Sequence, residues 1–264
     1  MTSTRNPFPT VAAVALATCG CAPADLGQDP NILWWTDHET GDLTDWDRGG
    51  AHWAFTEGTL EIATLPNPTR SGKYSLKSSV KTQAAGTQSA AQALRTGGLP
   101  TEAYYSAWYY FPALIINTNY WAFFQYRSRT DAADDTTALN IWDLEVITDS
   151  NRAMYLSLYR HAFDSVQVNR WDVTTPSIPV GQWFQVEMFL RATNDSSGRL
   201  TVWFNGALIF DVSGQPTMPS SYIEWVVGGG TEVIDPSPAI MFIDDAAVSK
   251  RRLGPDFPVF WRGE

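Results

Sequence analysis

The chain has 264 residues, a formal net charge of −10 and twelve tryptophans. An acidic balance of that size argues against nucleic acid as a partner and against long-range attraction of polyanions. Its two cysteines, Cys19 and Cys21, lie near the N-terminus, so the region after them cannot form an internal disulfide and depends on its core. Roughly 240 residues can supply such a core within one domain.

Residues 1–21 read as an export signal. Arg5 is the one charge before Asp25, and the apolar run Val11-Ala-Ala-Val-Ala-Leu-Ala17 precedes the small residues Thr18-Cys19-Gly20-Cys21. A positive start, a short apolar stretch and small residues at the cut are the pattern of such a leader. The run is too short to span a bilayer as a helix. Leu16-Ala17-Thr18-Cys19 also resembles a bacterial lipoprotein signal, with Cys19 or Cys21 as the lipidated residue; plain secretion is the other reading. Removing Arg5 takes the charge from −10 to −11. The expected location is the cell envelope or the extracellular space, with a membrane touched only through that N-terminal lipid.

Residues 22–31 form a polar linker with two prolines, and residues 32–264 form a single domain. Short runs of β-branched and aromatic residues alternate there with turn signals, and no long helical periodicity appears, which predicts an all-β sandwich or barrel. The expected strands are Leu33–Thr36, Trp53–Thr56, Thr59–Ala63, Tyr74–Val80, Ser89–Arg95, Tyr104–Phe111 and Trp121–Ser128. They continue with Leu139–Thr148, Met154–Arg160, Trp183–Ala192, Arg199–Phe204, Ala207–Val212, Ser221–Val226 and Ala239–Ser249. Asn205-Gly206, between the runs Arg199–Phe204 and Ala207–Val212, specifies a type I′ hairpin because both turn residues need positive φ. The segment Val226-Val-Gly-Gly-Gly230 reads as a flexible connection at the rim, and the tail from Arg251 as an irregular segment lying on the sandwich.

The stretch Tyr104–Arg129 is the most informative. It is rich in Tyr, Trp and Phe, which suit a pleated, half-buried surface. It ends in Gln125, Arg127 and Arg129. Rings on which sugars stack, beside amides and guanidinium groups, point to a polysaccharide surface. The register decides whether Trp108 and Tyr110 or Tyr105 and Tyr109 face outward.

Several motifs, in order, resemble the concanavalin A-like jelly rolls of the polysaccharide lyase and heparin lyase I-like superfamily. They are Asp37-His-Glu-Thr-Gly-Asp-Leu-Thr-Asp-Trp46, Ser71-Gly-Lys-Tyr-Ser-Leu-Lys77, Tyr105-Ser-Ala-Trp-Tyr-Tyr-Phe-Pro112 and Phe124-Gln-Tyr-Arg127. Gly181-Gln-Trp-Phe184, Gly198-Arg-Leu-Thr-Val-Trp-Phe-Asn-Gly206 and Ile243-Asp-Asp-Ala-Ala-Val-Ser249 complete the series. The resemblance implies two antiparallel sheets with glycan lying across a concave face. It implies fold more firmly than activity.

The family's lyases commonly carry Gln-X-His where this chain reads Gln125-Tyr126-Arg127. The earlier strand, Gln88–Arg95, offers Gln92 and Arg95 with no following Glu. A uronate lyase must neutralise the sugar carboxylate, remove the C5 proton and protonate the leaving oxygen. Gln125 and Arg127 suit the first task; Arg stays protonated and is no base. The proton-transfer candidates are Tyr159 and His161, which alternate with Tyr155 and Ser157 on one strand face. Trp108, Tyr110, Arg129, Tyr155 and Glu145 are the expected substrate contacts. The sequence leaves open a non-catalytic binder of polysaccharide or a structural surface protein.

Asp143 and Glu145 share a strand face, about 6.5–7 Å apart by strand rise. That spacing suits glycoside hydrolysis, although Asp-X-Glu followed by Thr148 does not match the Glu-X-Asp-X-X-Glu pattern of jelly-roll glucanases; contact with sugar hydroxyls, pairing with Arg127 or Arg129, or exposure to solvent are the other readings. The resemblance also implies a structural Ca²⁺ held by Glu39 and Asp244 or Asp245, whose oxygens suit a hard cation. His38 is expected in a loop beside the first strand and His52 in solvent. No zinc cluster, Ser-His-Asp pattern or phosphate loop is present in the sequence.

Overall fold

The computed structural model describes residues 29–49, 58–82, 87–96, 98–117, 120–130, 138–162, 168–173, 176–220 and 222–257. The expected export signal, most of the linker, the expected strand Trp53–Thr56, His52 and the tail beyond Phe257 lie outside those residues. Among the described residues there is no α-helix.

The strands are β1 (Ile32–Thr36), β2 (Arg48–Gly49), β3 (Thr59–Thr64), β4 (Tyr74–Val80), β5 (Ser89–Arg95) and β6 (Glu102–Tyr110). Next come β7 (Ile116–Asn117), β8 (Trp121–Arg129), β9 (Ala138–Thr148), β10 (Met154–Ala162), β11 (Val168–Asp172) and β12 (Trp183–Arg191). The series ends with β13 (Arg199–Phe204), β14 (Ala207–Ser213), β15 (Tyr222–Thr231), β16 (Ile234–Asp235) and β17 (Ala239–Ser249).

Two large sheets form. One runs β14-β13-β12-β6-β17-β4-β3, with β1 also on β17; the other runs β11-β10-β9-β8-β15-β5-β2; β16 and β7 make a small third sheet. The pairings are antiparallel, as β6 with β12 and β17, and β8 with β9 and β15. Such sheets bury one face each and meet across a shared core.

Alternation places that core. On β6, Tyr105, Ala107 and Tyr109 point inward, and on β8 and β15 Trp121, Tyr126, Trp225 and Val227 meet them. The two sheets touch ring to ring: Tyr105 lies 5.0 Å from Tyr126 and 5.4 Å from Trp225, both edge-on, and Tyr109 lies 4.8 Å from Phe123. Edge-to-face pairs suit the ring quadrupoles, and burying each ring stabilises the fold by about 2–3 kcal/mol. Two buried polar ring atoms bond across the core. Tyr126 Oη donates to Met188 O at 3.3 Å and Trp142 Nε1 to Thr217 O at 2.8 Å. The architecture is the expected all-β jelly roll.

The hairpin turn forms as expected, with positive φ at Asn205 (46°) and Gly206 (80°). The glycine run does not. Gly228–Gly230 belongs to β15, inside the sheet, rather than to a flexible rim connection. The glycines are there because side chains would collide: at Gly228, with φ 103°, a Cβ would lie 2.3 Å from Ala91 O. At Gly229 it would lie 3.0 Å from Trp121 Nε1. A β-bulge between Val227 and Gly230 marks the same spot.

The segment after β17 crosses the outer face of the first sheet. Leu253 N donates to Glu187 Oε1 at 2.6 Å, and Gln185 Nε2 donates to Gly254 O at 2.9 Å. Phe257 packs with Leu253 and Trp35 against Ala247.

Candidate active site on the second sheet

Strand alternation that turns Trp142, Leu144 and Tyr126 into the core turns their neighbours to the opposite face. On β8 these are Gln125, Arg127 and Arg129; on β9, Asp143 and Glu145; on β10, Tyr155, Ser157, Tyr159 and His161. Gln125 pairs in register with Asp143, Asp143 with Tyr159, and Tyr159 with Arg170. These four therefore form one row across four strands. A second row runs Glu224, Arg127, Ile141, His161. The four residues expected to carry the chemistry, Gln125, Arg127, Tyr159 and His161, share this face.

The face is polar yet sunken. Gln92, Gln125, Arg127, Arg129, Glu145 and Glu224 are buried although they point away from the apolar core, while Asp143, Tyr159 and His161 are half-buried. Buried polar groups must be matched. Arg127 Nη2 donates to Gln92 Oε1 at 2.8 Å and to Gln125 Oε1 at 2.5 Å, and Gln92 Nε2 donates to Gln125 Oε1 at 3.2 Å. Gln125 also hydrogen-bonds to Asp143. A guanidinium group and two carboxamides thus form a donor-rich cradle opposite β10. Arg129 is held otherwise: its Nε lies 2.8 Å from Glu224 Oε2, close but not aligned as a hydrogen bond.

Burial governs protonation here. Desolvation raises the Asp143 carboxyl to about 7, against the opposing pull of Arg127 and the Gln125 hydrogen bond. Desolvation, then the neighbouring Asp143, raises Glu145 to about 8, with Arg170 opposing. Tyr159 is pushed up by desolvation and by Glu145 and Asp143, so its phenol keeps its proton. Its ring stands 6.4 Å from that of His161, edge-on.

Other expected contacts fall elsewhere. Trp108 and Tyr110 lie on β6, in the first sheet, pointing away from the core, so they do not share the face of Gln125. The Arg70 guanidinium covers the Trp108 ring at 3.9 Å, and Tyr110 packs 5.5 Å from Trp183. Tyr105 and Tyr109, the alternative pair, are core. The aromatic stretch from Tyr104 and the Gln-Arg stretch from Gln125 thus belong to opposite sheets. Tyr155 sits on the right face, two strand positions beyond Ser157, opposite Ile147. Gln92 and Asp143 are more central than the sequence indicated. Gln92 was visible as a polar residue in a run of alanines, and Asp143 as half of the acidic pair.

The expected metal ligands do meet around one loop. Glu39 Oε1 accepts from the amides of Lys73 and Tyr74 at 2.7 and 2.9 Å. Asp244 Oδ2 accepts from the amides of Arg70 and Ser71 at 2.9 and 3.3 Å, and Asp244 Oδ1 from that of Asp245 at 2.9 Å. Asp245 accepts from Arg70 Nη1 and, at 2.9 Å, from Ser71 Oγ. Carboxylates aimed at N–H groups clamp residues 70–74 directly. Among the described residues no group of three or more His, Cys, Asp or Glu side chains could hold a metal. As placed, these side chains do not fit a Ca²⁺ shell, and no step below uses one. His38 is in the expected loop but fully buried: Trp46 Nε1 donates to its Nε2 at 3.3 Å, and its Nδ1 lies 3.6 Å from Asp244 Oδ1.

The fold resembles several solved structures. Endo-β-1,4-glucuronan lyase from the fungus Trichoderma reesei matches with a TM-score of 0.63 at 16% identity, over 85% of this chain and 99% of that one. The cellulose-induced protein Cip1 matches at 0.56 and 19% identity, over 83% and 98%. The alginate lyase vAL-1 from Chlorella virus matches at 0.52 and 10% identity, over 84% and 100%. Likeness at such identities establishes the fold. No curated protein matches the chain in sequence. A sequence profile described as polysaccharide lyase matches residues 38–225, which includes β8 to β11 whole and the start of β15. The chain belongs to the polysaccharide lyase family.

Proposed function

We propose that this protein cleaves a uronate-containing extracellular polysaccharide by β-elimination on the polar face of the second sheet. The observation that carries this reading is the cross-strand row Gln125–Asp143–Tyr159 beside the buried Arg127. Backbones of β8 and β10 are two strand spacings apart, about 10 Å, room for a sugar ring over β9. The uronate carboxylate sits against Arg127, Gln92 and Gln125, whose donors stabilise the negative charge that grows as C5 loses its proton.

The roles on β10 follow from protonation. Tyr159 holds its proton and donates it to the departing glycosidic oxygen. His161 supplies the imidazole that accepts the C5 proton. The C5–H electron pair becomes the C4–C5 double bond, the C4–O bond breaks, and the oxygen leaves with the tyrosine proton. Transfer of the imidazolium proton back to the phenolate through solvent resets the pair. Arg127 stands where related lyases carry histidine, which moves the proton-accepting role to β10.

Hydrolysis by Asp143 and Glu145 is less well supported. That chemistry needs one ionised and one protonated carboxyl, with environments that drive their pKa values apart. Here both are raised, to about 7 and about 8. Export by the leader, with or without a lipid on Cys19 or Cys21, fits a polymer substrate that stays outside the cell.

The test is the ultraviolet absorbance of unsaturated uronate on adding glucuronan, alginate or a heparin-type polymer. A rise that Tyr159→Phe removes supports the reading. No rise, together with retention on a glycan column, makes the protein a non-catalytic binder.

A further inference from the structure

Resting on that reading, the charge pattern of the same face narrows the substrate class. The cationic and acidic groups are not mixed evenly. Arg127 anchors one side, with Arg129 matched by Glu224. On the other side, Glu145 on β9 is the register partner of Ser157 on β10, which is the partner of Asp172 on β11. Arg170, the cation on that side, pairs with Asp172, its Nε 2.8 Å from Oδ1. Tyr120, just before β8, is raised first by burial and then by Glu232, Asp143 and Glu145, so Glu232 and the Tyr120 hydroxyl belong to the same acidic side.

Two carboxylate oxygens there lack partners. Glu145 is 3% exposed, and neither its Oε2 nor Asp143 Oδ1 has a hydrogen-bond partner among the described residues. A buried acceptor without a donor is costly, about 1–3 kcal/mol, unless a ligand brings the donor. Sugar hydroxyls donate. A second uronate carboxylate cannot, and adds like charge in a sunken site where charges are weakly screened. Unmatched acceptors therefore both favour a neutral sugar and reject a charged one.

We infer that the face selects an acidic heteropolysaccharide in which the uronate seated at Arg127 is followed by neutral sugars over Glu145, Ser157 and Asp172, in preference to a homopolyuronate. The raised carboxyls make this selectivity depend on pH. Ionised above about 8, they repel a second uronate; protonated below about 7, they tolerate one. The charged and titratable neighbours are Arg127 and Arg129 on β8, Glu224 on β15, Tyr155, Tyr159 and His161 on β10, and Arg170 and Asp172 on β11. Tyr120 and Glu232 flank them. His161 acts on both substrates alike, so its contribution cancels in a ratio of rates.

The experiment compares kcat/KM of the full chain on glucuronan and on a gellan-type polymer, whose glucuronates are separated by neutral sugars, from acid to alkaline pH. Binding of both polymers to the Tyr159→Phe variant is measured by affinity electrophoresis alongside. The expected ratio favours the heteropolymer by about tenfold or more on the alkaline side and falls toward unity on the acid side. Glu145→Gln flattens that pH dependence and improves the homopolymer, as does the second variant Asp172→Asn to a lesser degree. Glucuronan preferred at every pH, or a ratio unmoved in both folded variants, overturns the inference while leaving elimination intact. Selective binding of the heteropolymer without cleavage of either overturns elimination and keeps the inference. Neither bound nor cleaved overturns both.

Discussion

Tyr159 stands directly across the β9–β10 ladder from Asp143, and Asp143 directly across the β8–β9 ladder from Gln125. The Tyr159 phenol and the Gln125 carboxamide are thereby held at fixed spacing by backbone hydrogen bonds, not by loops. Sites built on strands hold their geometry well.

Replacing the phenol tests its role. Tyr159→Phe is expected to lower kcat by about a hundred- to ten-thousand-fold, with glycan affinity and thermal midpoint close to wild type. A parallel loss of affinity would make Tyr159 a binding residue only.

Arg127 is expected to act through binding and charge stabilisation. Arg127→Ala should weaken uronate binding by about ten- to a hundredfold, the worth of hydrogen bonds from a charged donor. Arg127→Lys should not restore it, because Nη2 alone reaches Gln92 and Gln125, and an ammonium taken up by those two bonds cannot also offer a sugar carboxylate the planar paired donors of a guanidinium. Affinity electrophoresis on a uronate polymer reads both variants, with circular dichroism to check folding.

The outer face of the first sheet is not expected to contribute. Trp108→Ala removes the ring under Arg70, and should leave glycan affinity and turnover unchanged while lowering the thermal midpoint modestly. A large loss of affinity would move the glycan to the opposite side of the sandwich.

Stability should carry the signature of the raised carboxyls. Asp143 and Glu145 bind protons more tightly folded, with values of about 7 and 8, than unfolded in the ordinary carboxyl range. The folded state therefore holds more protons between about pH 4 and 8, and the contribution of these groups to stability falls as pH rises through that window. It is full below the unfolded values and level again above the folded ones. Urea unfolding of wild type and of the Asp143→Asn/Glu145→Gln double variant should diverge with pH in this sense, the variant gaining relative stability toward alkaline pH.

Most of the strand framework was legible from alternation. Tyr74–Val80, Ser89–Arg95, Arg199–Phe204 and Ala239–Ser249 form over the expected residues, and the Asn205-Gly206 turn announced its hairpin. What sequence hid is long-range. β6 pairs with β12 and β17 rather than with β8, and no local pattern reveals that choice, so the Trp108 and Gln125 faces could not be told apart. β11 was missed because Val-Asn-Arg-Trp-Asp is a short, polar edge strand. The glycines of β15 read as a loop because their reason, the close approach of Ala91 and Trp121, lies in other strands. The shifted carboxyls of Asp143 and Glu145 likewise arise from burial by neighbours far along the chain.

The mass of the products tests the central claim most directly. Digests of a glucuronate polymer should yield oligosaccharides whose new non-reducing ends carry an unsaturated uronate, one water lighter than hydrolysis products, and Tyr159→Phe should abolish them. Products of the full hydrolytic mass, or an undegraded polymer under conditions where it binds, would contradict elimination on this face.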